Sequence, residues 1–167
     1  MKVLKKHLVI IDSPSECGKT SLCLHLATKY RFNYYHIKRW NHPLESYEID
    51  ILDFAFENIA KWESNFVIER MHLSDEVYGK VLNSQDPYKN WENFNQHIIN
   101  KCERFGINYT LVTCLPPKDK VTFTNTLDNQ LYDGFEELYN NNQDKIYNYN
   151  FVDDPDYIKI DEYLENK

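Results

Sequence analysis

Asp12-Ser13-Pro14-Ser15-Glu16-Cys17-Gly18-Lys19-Thr20-Ser21 follows an apolar run directly and leads into a stretch whose apolar residues recur at helical spacing. A glycine lets backbone approach an anion closely, a lysine neutralises β/γ-phosphate oxygens, and a threonine hydroxyl suits Mg2+. Placed in the order Gly18-Lys19-Thr20 at a helix start, these properties describe a loop that holds the phosphates of a nucleotide such as ATP. Ser13, Cys17 and Ser21 complete that candidate phosphate-binding set; an ordinary strand-to-helix turn is the alternative. The pattern G-x-x-x-x-G-K-[ST] asks for glycine where Ser13 stands. Its Cβ penalises any φ > 0 conformation by about 1 kcal/mol or more, so the turn is expected to differ or to be strained.

A second constellation is Glu69-Arg70, at the end of an apolar run. The chain has only four arginines, at 31, 39, 70 and 104, so one at a predicted sheet edge is a candidate phosphate ligand. Glu69 has three readings: ordering Mg2+ or its water, acting as base toward a hydroxyl acceptor, or pairing with Lys19 or Arg70. His36 and His42 lack the further partners of a metal set. Cys17 sits where cations and backbone dipoles would lower its pKa, with no sign of a redox role.

Apolar periodicity supplies the elements that must position these groups. Strands are expected at residues 8–11, 34–38, 66–68, 109–115 and 146–149. Helices are expected at residues 19–30, around 49–60, at 71–82, around 91–105, around 127–138 and, capped by Asp154-Pro155, up to about 165. Residues 83–87 read as a loop, and Pro116-Pro117 ends the fourth strand. Five strands alternating with helices predict one α/β domain over residues 1–167, a parallel sheet with helices on both faces.

With those elements in place, Glu69-Arg70-Met71-His72-Leu73-Ser74-Asp75-Glu76-Val77-Tyr78 resembles the D-R-[FYW]-x-x-S-x-x-[AV]-Y signature of the thymidylate kinase family and its short phage-type relatives. Glu69 replaces the usual Asp, as in deoxynucleoside kinases, and Met71 replaces an aromatic. The resemblance covers nearly the whole chain and implies a three-layer P-loop nucleotide kinase fold. It implies Lys19, Glu69 and Arg70 as catalytic residues, with Thr20 and Glu69 serving Mg2+. It assigns Arg70 to substrate phosphate, matches Arg39 in Lys38-Arg39-Trp40-Asn41-His42-Pro43 to an acceptor loop, and aligns Ser74 and Tyr78 with substrate-side positions. A basic surface loop at Arg39 and ordinary helix positions at Ser74 and Tyr78 are the alternatives. Relatives carry arginine in a lid after the fourth strand, whereas residues 116–126 offer only Lys118 and Lys120. The carboxylate that relatives keep in the phosphate loop falls on Ser15, with Glu16 adjacent.

Composition bounds the function. Net charge −7 repels a polyanion over most of the surface, which disfavours extended nucleic-acid binding and the phosphorylation of polynucleotide ends. The longest apolar run is far short of the roughly 20 residues a membrane span needs, and no signal peptide opens the chain, so a cytoplasmic protein is expected. Eighteen Asn, 15 Lys and 13 Tyr fit an AT-rich source such as a phage, hence a host cytoplasm. Four cysteines without regular spacing read as reduced thiols. The first expectation is an ATP- and Mg2+-dependent kinase of (deoxy)nucleoside monophosphates, with deoxypyrimidine ones implied by the resemblance. The others are a deoxynucleoside kinase with Glu69 as base, and a nucleotide-binding regulatory protein without turnover. Small nucleotides are the expected partners, and relatives suggest a homodimer.

Overall fold

A computed structural model describes residues 3–37, 44–82 and 90–167. Its elements run β1 (His7–Ile11), α1 (Lys19–Tyr30), β2 (Asn33–His36), α2 (Leu44–Trp62), β3 (Phe66–Glu69), α3 (His72–Leu82), α4 (Trp91–Phe105), β4 (Asn108–Cys114), α5 (Thr126–Asn140), β5 (Tyr147–Tyr149) and α6 (Ile158–Glu165). The five strands form one sheet in the order β2-β3-β1-β4-β5, with every pairing parallel. Parallel strands covered on both faces read as unbroken apolar runs rather than alternating ones. Leu8, Val9, Ile10, Ile11, Val67 and Ile68 accordingly have no exposure.

The strand order decides which helix covers which face. From β1 the chain passes over the position of β3 to reach β2, then reverses direction for β3, β4 and β5. Right-handed crossovers therefore put α1 on one face and α2 to α5 on the other. α6 returns to the α1 face, where Asp161 accepts from His25 at 2.9 Å and from Lys29 at 2.6 Å, and Glu165 accepts from the Tyr30 hydroxyl at 2.8 Å. Adjacent strands β1 and β3 send their chains to opposite faces, and a crevice opens between their carboxyl ends. Ile11 pairs with Glu69 in register, so the residues that leave these strands, Asp12 and Arg70, stand side by side at its floor.

Local boundaries depart from the sequence expectations for physical reasons. α6 starts at Ile158 rather than beside Pro155, because the Asp154 carboxylate reaches forward to accept from the Lys159 and Ile160 amides at 3.0 and 3.1 Å. The strain anticipated at Ser13 is absent there. Left-handed φ outside glycine occurs at Lys6, Glu16, Arg31, Glu63, Arg70 and Tyr157 among the described residues, so the loop turns at Glu16 (φ 60°) instead. Met71, where the motif has an aromatic, is a fully buried core residue. All four cysteines are buried free thiols. No helix among the described residues is long and apolar enough to cross a membrane.

Candidate active site

The loop between β1 and α1 borders a cavity of about 590 Å³ lined by Ser15, Glu16, Gly18, Lys19, Thr20, Ser21 and Arg70, together with Tyr149, Phe151, Pro155 and Tyr157. Gly18 precedes α1 with φ 88°, and no side chain caps the first turn of that helix. Uncapped N–H groups and the positive end of the helix dipole therefore face the cavity, the arrangement that attracts phosphate. Gly18 is required twice over. Its φ is left-handed, and a Cβ there would sit 3.2 Å from Cδ1 of Phe151.

Two cations converge on this space. Lys19 is only 5% exposed, and its ammonium donates to the Pro14 carbonyl at 3.3 Å. Burial, then the nearby Arg70 charge, depress its pKa below the usual lysine value against the opposing pull of Glu69. Two cations beside an uncapped helix start attract an anion, whose binding offsets their repulsion. Arg70 reaches the cavity from a left-handed residue (φ 67°) whose amide donates to the Ile11 carbonyl at 3.0 Å. Three of the six non-glycine residues with left-handed φ, Glu16, Arg70 and Tyr157, line this one cavity. Each such residue costs about 1–3 kcal/mol, and strain of this kind gathers at functional sites.

Glu69 is 1% exposed at the end of β3 and is held by three donors. Thr20 Oγ1 donates to Oε1 at 2.9 Å, His36 Nδ1 lies 3.0 Å from Oε2, and the Tyr34 hydroxyl donates to Oε2 as well. Lys19 Nζ stands 4.0 Å from Oε1. Burial pushes the Glu69 carboxyl up, but the hydrogen bonds from Tyr34, His36 and Thr20 outweigh it and hold the group below the usual carboxylate range. It is therefore ionised at neutral pH. Thr20 and Glu69 form a pair of hard oxygen donors beside the phosphate loop. That pair fits Mg2+, which takes one or two protein oxygens and completes its octahedron with water and substrate phosphate. No cluster of three or more His, Cys, Asp or Glu able to hold a metal occurs among the described residues.

The remaining expected site residues divide sharply. Ser13 is buried with its hydroxyl on the Pro14 carbonyl at 3.3 Å, while Ser21 lines the cavity. Burial raises the Cys17 thiol to about 12, opposite to the expected lowering, because the cost of desolvating a thiolate exceeds the help from Lys19. Ser74 is 1% exposed and spends its hydroxyl on Asp12. Tyr78 packs partly buried against the core. Arg39 and His42 lie outside the described residues. In the lid segment Lys118 pairs with Asp133 and sits 5.8 Å over the Tyr132 ring, and Lys120 pairs with Asp119 at 3.5 Å. Neither lysine lines the cavity.

Sequence reasoning missed Asp12, Tyr34, His36 and the aromatic wall. The Tyr157 ring stacks nearly parallel to those of His25 and Tyr149, with centroids 4.0 and 5.6 Å away. Phe151 lines the same cavity with its Cδ1 beside Gly18. No sequence signal marked this wall, since residues 150–167 carry only Phe151, Tyr157 and Tyr163.

No protein-family model and no curated protein sequence matches this chain. Solved structures do. The thymidylate kinase of Candida albicans superposes with a TM-score of 0.54 at 13% identity, covering 98% of this chain and 94% of its own. The YorR protein of Bacillus subtilis, solved in complex with phosphorylated GDP, gives 0.57 at 17% identity over 95% and 92%. This chain has the fold of the thymidylate kinase-like P-loop kinases. The deoxyadenosine kinase of M. mycoides with bound dATP gives 0.52 at 14% identity over 96% and 100%. The expected three-layer arrangement is therefore the observed one, and the match runs over nearly the full length of each neighbour.

Proposed function

We infer that this protein is a phosphotransferase that moves the γ-phosphoryl of ATP, with Mg2+, to a (deoxy)nucleoside monophosphate. The observation that carries the reading is the convergence of buried Lys19 and of Arg70 on one cavity, beside an uncapped helix start. In this reading Lys19 and the loop amides hold the donor phosphates, and Arg70 bridges the donor γ-phosphate and the acceptor phosphate with its planar fork. Thr20 and Glu69 would hold Mg2+, which when bound neutralises phosphate oxygens. Phe151 offers a face to the donor base, an interaction worth about 1–3 kcal/mol. Positioning and fixed charge would then supply most of the acceleration.

The state of Glu69 favours a phosphate acceptor over a hydroxyl. A general base needs a proton affinity matched to the working pH. Glu69 holds its proton more weakly than an ordinary carboxyl, which opposes that role and keeps it an anion suited to a metal. A monophosphate oxygen is already anionic and needs no base. The preference for a deoxypyrimidine rests on the resemblance of residues 69–78 to the thymidylate kinase signature.

Single-turnover transfer from labelled ATP with Mg2+ to a panel of nucleoside monophosphates and nucleosides tests the reading. Labelled diphosphate is expected, and none with Lys19→Ala. Tight ATP binding without product would favour a binder without turnover, a reading motivated by Lys118 being tied to Asp133 and by the absence of arginine from residues 116–126.

A further inference from the structure

The Asp12 carboxylate has no solvent exposure and stands at the end of β1, immediately before the phosphate loop. Its contacts run across the crevice to the other motif. Oδ2 accepts from the Met71 amide at 2.9 Å and from the Ser74 amide at 2.8 Å, and Oδ1 accepts from the Ser74 hydroxyl. Between these anchors and the Arg70 amide on the Ile11 carbonyl at 3.0 Å lies the left-handed residue that sends its guanidinium into the cavity. Nothing intrinsic to arginine favours that conformation, which costs about 1–2 kcal/mol, so the surroundings must impose it. A buried carboxylate on the first amides of α3 also satisfies that helix start, leaving the α1 start as the anion-attracting end.

The geometry points to Asp12 as a positioning residue. With Ser74, it locks the Glu69–Met71 turn to the stem of the phosphate loop, so that Arg70 and Lys19 are aimed at one anion from a single rigid frame. The inference rests on the phosphate-binding reading of the cavity. It assigns Asp12 no contact with substrate, since both of its oxygens face the α3 start, and it turns Ser74 from a substrate-side residue into half of a clasp.

A residue that acts through Arg70 must lose its effect once Arg70 is gone, which a merely structural residue would not do. Calorimetric titration of the full chain with inorganic triphosphate, together with melting temperatures, would be run on wild type, Ser74→Ala, Asp12→Asn, Arg70→Ala and the Arg70→Ala/Ser74→Ala double variant. Ser74→Ala removes one hydroxyl and is the variant least able to disturb folding. We expect it to weaken triphosphate binding about tenfold, the scale of one hydrogen bond to a charged group, with Asp12→Asn at least as severe. In the Arg70→Ala background the same change should cost less than about twofold. Equal losses with and without Arg70, or wild-type affinity in Ser74→Ala alongside a clear loss in Arg70→Ala, would overturn the clasp and leave the phosphate site standing. Wild-type protein that binds no triphosphate would overturn both.

Discussion

Gly18 and Gly106 make a matched pair, because both have left-handed φ, 88° and 63°, but their surroundings differ. A Cβ at Gly106 meets nothing within 4 Å, whereas a Cβ at Gly18 comes 3.2 Å from Phe151 at the mouth of the phosphate loop. Replacing either by alanine forces an L-residue into a disfavoured backbone, at about 1–2 kcal/mol. For a chain of this size that lowers the melting temperature by about 2–8 °C in both variants. Only Gly18→Ala should also disturb nucleotide binding, since the new methyl group displaces Phe151 and rotates the amides that face the phosphates. Losing one well-aimed donor to a charged group costs about 1.5–3 kcal/mol, so ATP should bind about 10–100 times more weakly. Thermal shift with and without ATP and Mg2+ separates the two effects, because a ligand of the folded state raises the melting temperature by mass action. Gly106→Ala should keep its nucleotide-induced shift and Gly18→Ala should lose it. A shift kept by both variants, or lost in Gly106→Ala too, would refute this role of Gly18.

Phe151→Ala should weaken ATP about 5- to 100-fold, the worth of one base–aromatic stack, while inorganic triphosphate binds as in wild type; equal losses for both ligands would place Phe151 in the loop's architecture instead. His72 supplies a pH test away from the site. Burial, against the hydrogen bond that its Nε2 donates to Asn95 Oδ1, lowers its pKa to about 4. An unfolded chain therefore takes up this proton near pH 6.5 while the folded one resists it. Stability is full above about 6.5 and falls as the pH drops toward about 4, by about 3 kcal/mol at about 1.4 kcal/mol for each tenfold change in proton affinity. Urea unfolding of His72→Gln should show a flatter pH dependence than wild type between pH 6.5 and 5; identical slopes would contradict the burial. Ile10→Ala, at a residue with no exposure in the central strand, should cost about 2–5 kcal/mol and be read from the same urea curves.

The apolar runs at β1, β3 and β4 are legible because a parallel strand buried on both faces leaves a continuous hydrophobic signature. β5 is only three residues long and α6 begins three residues later than its Asp-Pro pair suggested, since short elements depend on what packs against them. The Ser13 expectation went astray for a related reason. Sequence says that a loop must turn, while the residue that takes the left-handed conformation, here Glu16, is chosen by the cost of the whole loop. Serine at position 74 carries no sign of whether its hydroxyl faces substrate or Asp12, because helical spacing leaves both directions open.

What the chain alone determined is chemistry carried by local order: Gly18-Lys19-Thr20 at a strand-to-helix junction and Glu69-Arg70 at the end of an apolar run. Adjacency in sequence is enough there, since backbone amides, a glycine turn and a helix start all lie within one short segment. What only the tertiary structure decided is the meeting of the two segments. The β2-β3-β1-β4-β5 order brings residues 12 and 70 abreast and engages Glu69 with Tyr34, His36 and Thr20. It also sets Phe151, more than 130 positions beyond Gly18, against the loop. Contacts at that separation depend on strand order and crossover handedness, which are global choices of the packed chain and leave no mark on any single stretch of residues.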